Sequence, residues 1–325
     1  MKKKITIYLG LIISVIFVIL IFRVVDFHGV VAALAKFNLN YIPYLLALYL
    51  LGMFFRTIRW RMLLNQSKTV SFGNVFDGLV IGFMVNNLLP AKIGELLRAD
   101  YIARRERLSR SFTLGTVFAE RMLDIFLVII FLFVSVIFSK RLFTIIKANV
   151  WLLVVIVAII IFVLMILLSR NLQKRFSKLF PPKYQEFFES VLKHGAKSLN
   201  FLRRKRIFFQ ILILTTVLWL LALIVYFVIF KGMGLKLPIY GYFFIVSVGA
   251  IGMVIPSTSA NIGVYDAVVM SAIMLFTVDK DTALAIAVIA HAFDIIPNVV
   301  LGLIVLVKNH LSLLSFWRKY KKTTS

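Results

Sequence analysis

Long apolar runs alternating with short basic segments set the pattern of this chain from end to end. The clearest runs extend from about Ile5 to Val25, Val150 to Leu168, Ile207 to Phe230 and Ala283 to Val307. Two more are of similar character: Tyr41 to Phe55, extended by a basic end, and Phe112 to Phe138. At about 1.5 Å of rise per residue, roughly 20 residues cross about 30 Å of hydrocarbon, so these stretches predict six full transmembrane helices. Two further apolar segments, Phe72 to Ala103 and Ile239 to Phe276, are broken by turn-forming residues. The first turns at Asn86-Asn87-Leu88-Leu89-Pro90, the second at Ile255-Pro256-Ser257-Thr258-Ser259-Ala260-Asn261.

Composition narrows the class. Of 325 residues, 62% are hydrophobic and 16% charged, and the mean hydropathy is +0.99. A water-soluble fold could not hide that much apolar surface, which makes this an all-α polytopic membrane protein. With no cysteine in the chain, disulfides, thiolate metal sites and cysteine nucleophiles are all excluded. The first apolar run follows Met1-Lys2-Lys3-Lys4 and precedes Ala33-Leu34-Ala35, imitating a secretory signal. It is longer than the usual signal core of about 7 to 15 residues, so a retained signal anchor is expected.

Charge sets the expected topology. The chain carries 38 Lys and Arg and a net charge of +25, and such residues concentrate on the cytoplasmic side. Lys2 to Lys4, the group Arg56, Arg59, Arg61 and Lys68, the segment Arg170 to Arg206 and the tail Lys308 to Lys322 fall on one side if each full span crosses once. The cluster Arg98 to Arg110 joins them only if Phe72 to Ala103 is a re-entrant helical hairpin entering from the cytoplasm. The same treatment makes Ile239 to Phe276 a second hairpin, entered from outside, and puts both termini in the cytoplasm. Non-helical backbone at membrane depth requires burial or a water-filled cavity, so two such turns imply a cavity. Tyr184, Phe187, Phe188, Val191, Leu192, Leu199 and Leu202 recur at helical spacing among lysines, predicting a basic interfacial amphipathic helix over about 183–202. Trp60, Trp151 and Trp317 are expected to anchor at interfaces.

The two interrupted segments resemble each other. Ile81-Gly82-Phe83-Met84-Val85, Pro90 and Ile93-Gly94-Glu95 have counterparts in Ile251-Gly252-Met253-Val254, Pro256 and Ile262-Gly263 with Asp266. Downstream, Ala119 to Ile125 resembles Ala290 to Ile295, and Gly94 to Asp124 spans 30 residues against 31 from Gly263 to Asp294. Within one membrane domain this suggests repeat-like halves at about 41–138 and 207–307. An odd number of crossings between the turns would invert the second half, placing a binding site near the midplane at the interrupted segments.

Ionisable residues in apolar surroundings mark candidate chemistry, since each unpaired charge there costs about 2.5 to 3.5 kcal/mol or more. Glu120, Arg121 and Asp124 fit one helical face, with Arg121 neutralising one carboxylate and one negative charge left over for Lys92 or Arg98. Glu95 and Arg98 offer a second local pair. In the second half, His291 and Asp294 lie three apart, with Asn261 and Asp266 near the turn. A histidine beside a carboxylate could couple transport to protons. Together with Asn86, Asn87, Pro90, Gly94, Pro256 and Gly263, these residues form the candidate headgroup-binding set. The chain has no Walker-type loop, no His-Glu-x-x-His helix and no Gly-x-Ser-x-Gly elbow, which argues against an ATP-driven pump and these hydrolase chemistries.

The run Asn87 to Arg98 with Pro90, Gly94-Glu95 and Arg98, followed by Glu120-Arg121-x-x-Asp124, resembles the lysylphosphatidylglycerol synthase transmembrane-region family. The resemblance covers nearly the whole chain. At the second turn that family usually has a glycine-rich segment closed by a glutamate, whereas this chain has Ser259-Ala260-Asn261 before Ile262-Gly263 and Asp266 as the acid. The resemblance implies a flippase-like domain, as in the membrane half of the multiple peptide resistance factor, which exposes aminoacylated phosphatidylglycerol on the outer leaflet. The soluble aminoacyltransferase half of that protein is not expected here, so lipid synthesis is not the expected role. Anionic or aminoacylated membrane phospholipids are the expected partners, with a lipid-modifying enzyme and a homodimer as further ones, in a bacterial-type inner membrane. No cofactor, metal or nucleic acid is expected. Competing readings are an enzyme subunit acting on polyprenyl-phosphate sugars, with Glu120 or Asp124 as base or metal ligand, and a scaffold for cell-envelope enzymes.

Overall fold

The computed structural model describes residues 26–89, 92–147, 185, 198–255 and 259–310. The expected spans at 5–25 and 150–168, most of the expected amphipathic helix, and Trp151 and Trp317 lie outside these residues. The described residues form ten α-helices and no strand. They are α1 (Phe27–Ala35), α2 (Ile42–Leu64), α3 (Phe72–Leu88), α4 (Ile93–Arg105), α5 (Arg110–Ile137), α6 (Lys140–Lys147), α7 (Lys205–Gly232), α8 (Ile239–Gly252), α9 (Val264–Met274) and α10 (Lys280–Lys308).

Among the described residues, three helical segments are long and apolar enough to cross a membrane: Leu39–Leu64, which is α2 with the 3-10 turn before it, Lys205–Gly232 and Lys280–Lys308. Helix α5 is as long, 28 residues, but holds Glu120, Arg121 and Asp124 at its middle. The outward faces of these helices are apolar, carrying Leu50 and Phe54 on α2, Phe126 and Phe133 on α5, Ile213 and Phe227 on α7, and Val300 and Ile304 on α10. Buried positions instead include Arg59, Arg98, Glu120, Asp266, His291 and Asn298. Apolar outside with paired polar groups inside is the arrangement a hydrocarbon solvent selects.

The order long, short, short, long occurs twice, as α2-α3-α4-α5 and α7-α8-α9-α10. The four short helices have 17, 13, 14 and 11 residues, so none exceeds about 26 Å and each is shorter than a hydrocarbon core of about 30 Å. Each short pair folds back on itself. Gly82 of α3 faces both Gly94 and Arg98 of α4, contacts centred on the break at about residue 90. In the second pair Gly249 faces Val269, Gly252 faces Val268 and Gly241 faces Phe276, all centred near residue 259.

By packing, the chain separates into two units: Met1–Phe54, Phe76–Arg98 and Trp219–Ser325 in the first, Phe55–Val75 and Ala99–Leu218 in the second. In the first unit α9 packs on α8 and α10, and α10 on α1. Asp279 caps α10 by accepting from Thr282 N–H at 2.9 Å, and Asp281 accepts from Asp26 N–H at 3.2 Å. The second unit has a core of Leu63, Ala119, Leu123, Leu199, Phe201 and Ile211. Two sequence expectations change here. The end of the expected amphipathic helix is a 3-10 turn, Asn200–Arg203, and Leu199 enters the core, with Leu202 packed against it, instead of lying on an interface. Trp60 is likewise fully buried, donating to Thr116 Oγ1 at 3.0 Å, because the helix continues nine residues past the apolar run that ended at Phe55.

Candidate functional site

The second unit holds a buried charge cluster built on three long helices. Arg59 of α2 is 2% exposed. Its Nε donates to Glu120 Oε1 at 3.3 Å, Nη1 to Asp124 Oδ1 at 2.6 Å and Nη2 to Asp124 Oδ2 at 3.3 Å. Nη1 also reaches Thr215 Oγ1 of α7 at 3.3 Å. The planar guanidinium thus forks onto the Asp124 carboxylate, the strongest arrangement available to an ion pair. Arg121, one position from Glu120, has its side chain 41% exposed and sits 3.5 Å from Asp124.

The expected pair of Arg121 with Asp124 is made. The partner expected for the remaining negative charge, Lys92 or Arg98, is not the one made: Arg59 engages both acids. Arg56, one turn earlier, also acts electrostatically on Asp124. Three arginines against two carboxylates leave the cluster cationic. Arg59 had been grouped with the cytoplasmic cations because it follows the apolar run. It is buried because pairing with two carboxylates offsets a desolvation cost of several kcal/mol per ion. Arg59 thus engages one oxygen of Glu120 and both oxygens of Asp124.

In the first unit the first hairpin is held by close backbone approach. Asn86 Oδ1 accepts from Gly94 N–H at 2.8 Å, and a Cβ on Gly94 would come within 1.9 Å of the Gly82 carbonyl oxygen. Asn87 precedes the break, Glu95 sits in the first turn of α4, and the buried Arg98 lies 5.9 Å over the Phe83 ring. Lys92 is left-handed, with φ of 50°, and its ammonium donates to the Met253 carbonyl. Met253 is the C-cap of α8, so a cation meets the negative end of that helix and the turns of the two hairpins touch. Pro90 and Pro256 lie outside the described residues.

The second turn is tied down from two sides. Ala260 and Asn261 have φ of 57° and 58°, and Gly263 has 84°. For non-glycine residues that conformation costs about 1 to 2 kcal/mol each, so the turn persists only because contacts hold it. His291 of α10 supplies them: Nδ1 is 2.8 Å from Asp266 Oδ1 and Nε2 is 2.7 Å from the Ala260 carbonyl oxygen. Asp266 Oδ2 accepts from Gly263 N–H at 2.9 Å, capping α9. The expected pairing of His291 with Asp294 is therefore not the one made. A side chain three residues along the same helix loses to one across the hairpin that also caps a helix. Behind His291, the Tyr265 ring lies 4.6 Å from the imidazole and the Tyr265 and Tyr226 hydroxyls are 2.6 Å apart. Two turns on, Asn298 donates to the Asp294 carbonyl at 2.6 Å and accepts from Tyr49 at 2.6 Å, beside Pro297 within α10.

Of the expected residues, Glu120, Arg121 and Asp124 gather in the second unit. Asn86, Lys92, Gly94, Asn261, Gly263, Asp266 and His291 line the two turns of the first. Arg59, Thr215, Tyr226 and Tyr265 were missed, since threonine and tyrosine carry no sequence signal in an apolar span. Asp77, buried on α3 and bonded by Asn309 Nδ2 at 2.9 Å with Lys308 Nζ at 3.7 Å, was missed as well.

Comparison with known proteins bears on this arrangement. The sequence pattern of the lysylphosphatidylglycerol synthase TM region matches residues 7–302. A UPF0104 membrane protein of Pyrococcus horikoshii is 22% identical over 97% of this chain and 99% of its own length. Two UPF0104 membrane proteins of Methanocaldococcus jannaschii are also similar. One is 29% identical over 38% of each chain, the other 27% identical over 68% of this chain and 92% of its own. No solved structure matches the chain.

Proposed function

The chain belongs to the lysylphosphatidylglycerol synthase transmembrane-region family, and from that premise we propose that it moves a phospholipid or lipid-linked headgroup across a cell membrane. It acts as a flippase or scramblase and not as an enzyme. The observation that carries this reading is the buried Arg59-Glu120-Asp124 cluster with Arg121 on its exposed flank. Ion pairs inside membrane helices are costly and mark substrate paths. A surplus of arginine suits an anionic phosphate, which a guanidinium binds through two parallel hydrogen bonds. Arg121 is the cation that a headgroup reaches.

In this reading α2, α5, α7 and α10 cross the membrane together with the spans at 5–25 and 150–168. The two short helix pairs are re-entrant, entering from opposite sides as halves of an inverted repeat, and both termini are cytoplasmic. Their turns supply the non-helical polar backbone that a headgroup path needs at membrane depth, while the acyl tails stay in the bilayer. Anionic or aminoacylated phospholipids are the cargo, supplied by a lipid-modifying enzyme, and the protein works as a homodimer.

The test is leaflet exchange of a fluorescent anionic phospholipid in reconstituted vesicles. Wild-type protein is expected to exceed empty vesicles clearly, with Arg121→Ala and Glu95→Ala each slowing exchange at least about tenfold, a barrier increase of about 1.4 kcal/mol. Equal rates in wild type, both variants and empty vesicles overturn the proposal.

A further inference from the structure

The second hairpin turn contains a hydrogen-bond arrangement that requires a proton. His291 stands between two oxygens, Asp266 Oδ1 at 2.8 Å and the Ala260 carbonyl at 2.7 Å. A backbone carbonyl only accepts, so Nε2 must carry hydrogen and donate. A neutral imidazole with its hydrogen on Nε2 then turns the lone pair of Nδ1 toward Asp266. If that carboxylate were ionised, two acceptors would face each other at hydrogen-bond distance. The contact is attractive in two forms only, an imidazolium against a carboxylate or a neutral imidazole against a protonated acid. Both contain the same additional proton.

We infer that His291 and Asp266 form a proton-binding site whose occupancy holds the second hairpin turn in its left-handed conformation and whose deprotonation releases it. Three observations place the proton at a mechanical joint. The His291 and Asp266 side chains are 6% and 11% exposed, so water does not readily substitute for the lost bond. The residue His291 grips, Ala260, is itself left-handed, as is Asn261 after it, so the turn depends on being held. Asp266 also bonds the N–H of Gly263, so a shift of its carboxylate loosens the start of α9 along with the turn. The same joint lies a few residues from Met253, whose carbonyl receives Lys92 from the first hairpin.

The groups facing the pair come from each element packed around it. From α9 there is Tyr265, its ring tilted against the imidazole, and from α7 Tyr226, bonded to Tyr265. From α10 itself there is Asp294, which acts electrostatically on His291. Helix α8 brings Gly249 beside both tyrosines, where a Cβ would lie 3.6 Å from the Tyr265 ring and 3.7 Å from the Tyr226 hydroxyl. The two hydroxyls are 2.6 Å apart, and both imidazole nitrogens are taken by Asp266 and Ala260. The role of this proton in coupling lipid movement rests on the translocation reading above. The site itself rests on geometry alone.

Because the chain has no cysteine, Ser259→Cys introduces a unique reporter in the turn. The full chain is placed in lipid nanodiscs and labelled with a maleimide between pH 6 and 9. The rate is divided by that of an exposed reference, Asn40→Cys, to remove the intrinsic pH dependence of the thiol. The normalised rate is expected to rise at least about fivefold with pH, and the rise to vanish in His291→Gln, which can donate to one acceptor but does not titrate. A flat normalised rate with native residues at 266 and 291, or an equal rise in His291→Gln, overturns the inference. If His291→Gln does not fold, 15N spectra of histidine-labelled Ala260→Gly, Asp266→Asn and wild-type protein decide. A resonance with both ring nitrogens protonated, or with Nε2 alone protonated beside a protonated acid, is expected in wild type and changed in Asp266→Asn. Its absence overturns the site. Leaflet exchange under an imposed pH gradient separates the two readings. Exchange with a flat turn signal removes the proton site alone, and a pH-dependent turn without exchange removes translocation and leaves the proton site standing.

Discussion

Arg59 illustrates what single residues reveal and conceal. Glu120 and Asp124 were legible as intramembrane charges because apolar residues flank them for more than a turn on each side. Arg59 was not, because it follows the apolar run and reads as one of several cytoplasmic cations. Only the packing of α2 against α5 and α7 within one unit makes it the partner of both acids. The same reasoning separates Asp266 from Asp294 as the partner of His291. Helical spacing ranks local neighbours and is blind to those brought in by a turn. Removing one partner of a buried pair strands the others, at a cost of about 3 to 5 kcal/mol. Arg59→Gln is therefore expected to lose about that much in reversible unfolding in detergent. The triple variant with Glu120→Gln and Asp124→Asn should recover most of it, because the cations that remain, Arg56 and Arg121, are not fully buried. An Arg59→Gln cost below about 1 kcal/mol, typical of a surface pair, would contradict the buried-cluster description.

At the scale of elements, glycine and proline carried most of the readable information. The breaks at 89–92 and 253–263 were located from Pro90, Pro256 and their polar neighbours. The sequence repeat singles out Gly82 and Gly94. What the sequence could not convey is how closely α3 and α4 meet. A Cβ at Gly94 would sit 1.9 Å from a backbone oxygen, whereas one at Gly52 of α2 meets nothing within 4 Å. Gly94→Ala is expected to cost at least about 1 to 3 kcal/mol by overpacking. Gly52→Ala is expected to be neutral or to gain up to about 1 kcal/mol from helix propensity. Thermal unfolding of both variants checks the contrast. The start of α10 adds a pH dependence outside the membrane. The Thr282 backbone N–H holds the Asp279 carboxyl below the usual carboxylate range. A folded-state pKa below the unfolded value, about 3.9, gives stability that is present above that value and lost as pH falls through the lowered one. The stability difference between wild type and Asp279→Ala should be steady from neutral pH down to about pH 4 and shrink below it.

Across the whole molecule, the sequence repeat and the repeated order of elements have the same boundaries to within a few residues, yet the packing units do not follow them. Each unit takes pieces from both halves. A repeat visible as order along the chain therefore need not be a folding unit, since helices that belong together in sequence can bury their faces against partners from the other half. Hydropathy could find α7 and α10 because the charges of α7 lie at its ends and the interior of α10 holds one charged residue, Asp294. It could not decide whether two short apolar helices cross or return, because a pair laid end to end is long enough for a single crossing. Charge decides between these, and the missing cysteines make the decision measurable. Single cysteines at Ser67 and Arg107 flank the first short pair, and cysteines at Gly234 and Thr277 flank the second, with Ser139 following α5. If each pair returns, Ser67→Cys and Arg107→Cys react only with reagent on the cytoplasmic side. Gly234→Cys, Thr277→Cys and Ser139→Cys then react only from outside. Reaction of Arg107→Cys from outside would mean that α3 and α4 together cross the membrane. It would also place the basic residues from Arg104 to Arg110 on the wrong side for the positive-inside rule, so this one site tests both the first hairpin and the inverted relation of the halves.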